Sequence, residues 1–131
     1  MSGDGGHHAL ASQAPRPVRA VARDRRLRAA LLSVLGAEPG LGPVSGVALR
    51  DALAEPGAVA RDGATVVLML GSADETAGVA LVTQLLMLGA RAVVVLAGRD
   101  ALRPAALRAG AAAFLPVGAD PVAVVEAVRA A

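Results

Sequence analysis

Residues 65–70 (TVVLML) and 92–96 (AVVVL) are apolar at almost every position, with no alternation of polar side chains. A strand of this kind has no face to give to water, so both of its faces must be covered, as in a parallel sheet sandwiched between helices. Parallel neighbours cannot be joined by a tight turn; each pair needs a crossover, normally a helix. The two runs therefore demand helices before, between and after them.

The rest of the chain meets that demand. Residues 18–22 (VRAVA) read as a first strand, 44–47 as a weaker second one and 113–117 as a fifth. Asp24 precedes a helix whose Leu27, Ala30, Leu31, Val34 and Leu35 share one face. Residues 36–43 break it, a short helix at 49–54 ends before Pro56-Gly57, and residues 71–75 form a polar loop. Further helices are predicted over 77–88, closed by Gly89, and 103–109, closed by Gly110. Asp120-Pro121 gives the last helix an N-cap and a first-turn proline, and that helix runs on through Val122, Val125 and Val128. Five strand–helix alternations specify an α/β domain joined by right-handed crossovers. The 131 residues suit one such domain over 17–131, preceded by a flexible Gly-, Ser- and Pro-containing tail at 1–16.

Charge and composition exclude several classes. All 13 basic residues are Arg, and the formal net charge is only +2, too small an excess to argue for a nucleic-acid surface. The run Arg23, Arg25, Arg26, Arg28 reads as a solvated helix face. Without cysteine there are no disulfides and no thiolate chemistry. No apolar run reaches the roughly 20 residues of a membrane span, and the N-terminus lacks the order of a signal peptide, so the cytoplasm is the expected compartment. His7 and His8 in the tail lack further ligands nearby and read as incidental. No Ser-His-Asp set, Gly-rich phosphate loop or metal cluster is present, and Gly71-Ser72 and Gly98 read as turns. No enzyme activity, cofactor or metal is expected.

The order of elements and three stretches resemble the receiver domain of bacterial response regulators. PVRAVARD followed by RRLRAALLSVL is similar to the family's first strand and helix. GATVVLML with the helix beginning at Ala77-Gly78 is similar to its third strand and helix. ALRAGAAAFLPVGADPVAVVEAVRAA resembles the last helix–strand–helix, and its Leu-Arg-Ala-Gly-Ala turn and Phe-Leu are typical of receivers that precede a LuxR-like helix-turn-helix domain. The resemblance covers about 115 residues and implies a flavodoxin-like, doubly wound five-stranded parallel sheet in the order 2-1-3-4-5.

It also implies a phosphorylation site, which this sequence lacks. A phosphorylatable receiver has two acids after the first strand to hold Mg²⁺ and an acceptor Asp ending the third. A hydroxyl follows the fourth strand and a Lys the fifth, since phosphoryl transfer rests on positioning and neutralising oxygen charge. The corresponding positions here hold Arg23 and Asp24, Leu70, Ala97 and Val117, and the chain contains no Lys. Pro116 stands one residue earlier than the proline that commonly follows the family's Lys. Asp74 and Glu75, four and five residues past Leu70, read as solvated loop acids or caps of the next helix, and Asp24 as the cap of the first helix. A lone carboxylate among apolar neighbours is costly, so losing the charged groups together is self-consistent.

The sequence thus points to a receiver-like module whose state is not set by phosphate and which controls a transcriptional regulator through dimerisation or a partner. The alternative is a sensor of an apolar metabolite bound where the phosphorylation pocket was, which would require a cavity at Leu70, Ala97 and Val117. The candidate interaction face is the last helix, with Val122, Val125 and Val128 on one side and Glu126 and Arg129 on another. Homodimer and heterodimer are both open, and DNA would be reached only through an output domain outside this chain. The Arg-rich, Lys-free composition is that of a high-GC genome such as an actinobacterium's.

Overall fold

The computed structural model describes residues 15–131; His7, His8 and most of the segment read as a tail lie outside them. The elements are β1 (Val18–Ala22), α1 (Arg25–Gly36), β2 (Val44–Ala48), α2 (Leu49–Ala54), α3 (Pro56–Ala60), β3 (Thr65–Leu70), α4 (Glu75–Met87), β4 (Ala92–Ala97), α5 (Arg103–Arg108), β5 (Ala113–Pro116) and α6 (Pro121–Ala130). All strand pairs are parallel and the sheet order is β2-β1-β3-β4-β5, the flavodoxin-like arrangement.

The period-2 rule of a strand sorts the core into two layers. Val66, Leu68 and Leu70 of β3 join Val93, Val95 and Ala97 of β4 under Leu49, Val59, Leu81, Val82, Leu85, Leu102 and Ala106 of α2–α5 and their flanks. The alternate residues Val67, Met69, Val94 and Leu96 face Leu31 and Leu35 of α1 and Val124, Val125 and Val128 of α6. Every residue of β3 and β4 is buried, as two-sided strands require. β2, at the sheet edge, has no fully buried residue.

Several boundaries differ from the sequence reading for local reasons. Pro56-Gly57 begins α3 instead of breaking the chain, because a first-turn proline forfeits no helical hydrogen bond. β5 ends at Pro116: an edge strand tolerates the missing N–H, and the Val117 amide donates to Ala97 O (3.2 Å) just beyond it. In α1, Leu27 and Ala30 face solvent while Leu31 and Leu35 are buried, so the apolar stripe is narrower than the spacing suggested. Gly110 closes α5 at φ 114°, and a Cβ there would stand 2.5 Å from Leu86 Cδ1. The positive φ of the turn favours glycine, and a Cβ there would also displace the end of the Leu86 side chain.

The last helix corrects the proposed interaction face. Val125 and Val128 are buried in this domain's own core, whereas Val122 is 64% exposed and stands beside exposed Glu126. Arg129 pairs with Glu38 at the end of α1. Val125→Asp should therefore lose about 4 kcal/mol or more by burying an unpaired charge. Val122→Asp should melt within about 0.5 kcal/mol of wild type by chemical denaturation.

Candidate functional site

Sites in open parallel sheets form where the strand order reverses, at the carboxyl ends of the strands. In this sheet that point lies between β1 and β3, and a side chain from each side meets there. Arg23 follows β1; Asp74 sits in a 3₁₀ turn (Ser72–Asp74) after β3. Arg23 Nε donates to Asp74 Oδ1 at 3.0 Å and Oδ2 at 3.3 Å, and a terminal nitrogen donates to Oδ1 at 2.6 Å. Fork-to-carboxylate contacts of this kind are short and directional.

Asp74 is only 4% exposed, which corrects its reading as a solvated loop acid; it stands at the N-cap position of α4, as the other reading had it, but makes no side-chain capping bond there. The Arg23 hydrogen bonds, helped by the positive charge and by a backbone contact from Gly71, hold its carboxyl below the usual carboxylate range against the opposing pull of burial. Arg23 is itself raised, chiefly by the same hydrogen bond. Glu75, likewise read as a loop acid, is paired too: Arg99, two residues past Ala97, donates to it at 2.7, 3.0 and 3.2 Å and lowers its pKa. A third anchor lies beyond, where Arg103 binds Asp100 (2.9 and 3.1 Å), donates to Phe114 O (3.2 Å) and stands 4.9 Å from the Phe114 ring. These contacts tie together the loops after β1, β3 and β4 and fasten the last to β5.

The remaining positions are apolar. Leu70 and Ala97 are buried, and the Leu70 side chain lies where any side chain at position 78 would be: a Cβ on Gly78 would stand 2.4 Å from its Cδ2. The carboxyl end of β3 is thus filled with packed hydrocarbon. Val117 is half-exposed, off the end of β5, and does not join Leu70 and Ala97 in the core. Asp24 caps α1, its Oδ1 accepting from the amides of Arg26 (2.8 Å) and Leu27 (3.1 Å).

These residues do not fit the divalent cation of a receiver site. Arg23 brings a guanidinium to this edge, Asp24 is used by the helix, and the charge of Asp74 is already paired with Arg23. Among the described residues no three acids or histidines gather as a metal would need. No helix of the described residues is long and apolar enough to cross a membrane.

The pairs were missed because each acid was judged from its own neighbours. The available signal was complementarity across strands: Arg23 and Asp74, and Glu75 and Arg99, follow the carboxyl ends of adjacent strands.

The fold and the edge geometry are those of a doubly wound α/β domain with its site at the β1–β3 switch. A LuxR family DNA-binding response regulator from Silicibacter pomeroyi is 30% identical over 87% of this chain and 88% of that one, with a TM-score of 0.66. This chain belongs to the response-regulator receiver family. A response regulator from Thermotoga maritima (16% identity; 88% and 96% of the chains; TM-score 0.70) shares the fold. So does one from Burkholderia pseudomallei, described with a phosphorylated aspartic acid and a calcium ion (19%; 86% and 66%; 0.68). No family model and no curated protein matches the sequence.

Two measurements test this geometry. Asp74, whose folded pKa is lowered, contributes stability that is complete above its unfolded value of about 3.9 and is lost as pH falls through the folded value. Arg23→Gln should therefore melt below wild type at pH 7, and the gap should close only below about pH 4. Gly78→Ala should cost about 1–2 kcal/mol by overpacking. In a Leu70→Ala background the same change should cost under about 0.5 kcal/mol, giving a coupling of about 1 kcal/mol in a double-mutant cycle.

Proposed function

We propose that this receiver works without phosphorylation, as a regulatory module that pairs with itself or with another regulator to control transcription. The observation carrying this reading is the Arg23–Asp74 pair: a guanidinium bound to a buried carboxylate at the β1–β3 switch supports the view that a fixed charge takes the role of the family's cation. An Arg is charged at every physiological pH, so the charge cannot come and go as Mg²⁺ and a phosphoryl group do. Leu70 supplies no nucleophile, and the packing of Leu70 on Gly78 counts against an apolar-metabolite site at that spot. No catalytic step is assigned to the module.

Pairing has a candidate surface. A groove of about 280 Å³ runs between α1 and α6, lined by Val34, Glu38, Pro121, Val122, Glu126 and Arg129, with Val125 at its base. An exposed valine rimmed by charges of both signs suits a modest interface. On this reading DNA contact belongs to an output domain outside this chain, in a regulator of high-GC, actinobacterial type acting in the cytoplasm.

The test is incubation of the protein with acetyl phosphate and Mg²⁺, followed by mass spectrometry and light scattering. The expected result is no added phosphoryl group and the same association state with and without the reagent. Leu70→Asp should also remain unmodified and should lose about 1.5–3 kcal/mol of apolar burial, its new carboxyl driven toward the neutral form by desolvation. Mg²⁺-dependent phosphorylation of wild type would overturn the reading.

A further inference from the structure

Beside the ion pair, at the carboxyl ends of β1 and β2, a cleft of about 240 Å³ is lined by Arg23, Arg28, Ala48, Leu49 and Arg50. Three of the five lining residues are arginines and none is an acid. Arg23 is held by Asp74 through Nε and one terminal nitrogen, and its other terminal nitrogen makes no hydrogen bond to the described residues. Arg28 is fixed by a 2.8 Å bond to Ala22 O, and its stem lies along Gly46, where a Cβ would stand 3.2 Å from Arg28 Cγ. Arg50 is the second residue of α2, its side chain 90% exposed and no nearer than 3.9 Å to the Asp51 carboxylate. Leu49 is buried beside it, so one side of the cleft is apolar.

Asp74 meets the charge of Arg23 and Asp51 lies 3.9 Å from Arg50, but Arg28 has no acid partner among the described residues, so the cleft keeps an excess of positive charge that an anion would offset. Planar guanidinium forks match the oxygens of carboxylate and phosphate alike, and the greater charge of phosphate favours it where several arginines converge. The cleft lies at the carboxyl edge of the sheet, one strand to the side of the β1–β3 switch point where open parallel sheets hold their ligands. The volume sets the size: it falls below the roughly 300 Å³ at which drug-sized pockets begin, which leaves room for an oxyanion with a small organic group. The helix dipole adds little, because Asp24 already occupies the Arg26 and Leu27 amides of α1. Arg25 and Arg26 face solvent and line no part of the cleft.

We propose that this cleft binds a small phosphate-bearing anion, noncovalently. The site goes beyond the phosphorylation-independent reading, since binding requires no acceptor residue and transfers no group. The experiment is a backbone-amide NMR titration of the full chain with inorganic phosphate, and then with glycerol phosphate, against acetate as control. Saturable shifts are expected at residues 23–28 and 48–50, with Kd about 1 mM or tighter. Arg50→Gln should weaken binding at least about tenfold while leaving the melting temperature unchanged. Equal binding of the two probes means that the cleft reads the oxyanion alone; tighter binding of the ester means that it also reads the organic group. Shifts that fail to saturate, that persist equally in Arg50→Gln, or that acetate reproduces would overturn the proposal. Inorganic phosphate transfers no phosphoryl group, so failure here leaves the acetyl phosphate result to be judged separately.

Discussion

Every residue of β3 and β4 is buried, so no part of those strands can carry a charge without stripping it of water. The constraint settles where chemistry sits in this domain. Charge is confined to the strand ends, and within the central strands the end residues themselves, Leu70 and Ala97, obey the same apolar rule. Asp74 is the exception that shows the cost. A carboxylate this buried persists only because Arg23 meets it with three short contacts, and the turn after β3 is held in place by that need.

The ion pairs and the apolar packing support each other. Leu70 lies against Gly78 near the start of α4, and α4 begins with Glu75, which Arg99 holds from the next loop. A polar group at position 70 would therefore disturb a helix start as well as a strand end. On the proposed reading the acceptor, the cation and the hydroxyl position have given way together to a packed leucine, a guanidinium and an alanine.

Most of the fold was legible because periodicity is a property of contiguous residues. Strands 18–22 and 65–70 and the helix at 49–54 match the structure to the residue, and the two-sided runs implied the layers. Asp120 as a cap, with its Oδ1 2.8 Å from the Val122 amide, was readable from two adjacent letters. The site was less legible because it is made across the sheet: Arg23 and Asp74 are 51 residues apart and meet only because β1 and β3 are neighbours. The fate of α6 was misjudged for a related reason. Val122, Val125 and Val128 share an apolar character, but which of them faces the sheet depends on how the helix is rotated on β1, β3 and β4, and a three-residue spacing leaves that rotation open.

A device that switches needs a ligand or modification that favours one of its states over another. In a phosphorylated receiver that difference comes from charge arriving at the carboxyl edge of the sheet. On the reading proposed for this chain the edge already carries its charge, because Arg23 and Arg99 stay protonated at every physiological pH. The loops after β1, β3 and β4 are then held in one arrangement regardless of the cell's phosphoryl supply. Control has to enter through a contact that discriminates between states elsewhere, either an anion in the arginine cleft or a partner in the α1–α6 groove. Linkage makes those two reciprocal if they are coupled at all: α1 borders both, through Arg28 at one end and Val34 near the other, so an anion that strengthened pairing would itself be bound more tightly by the paired form.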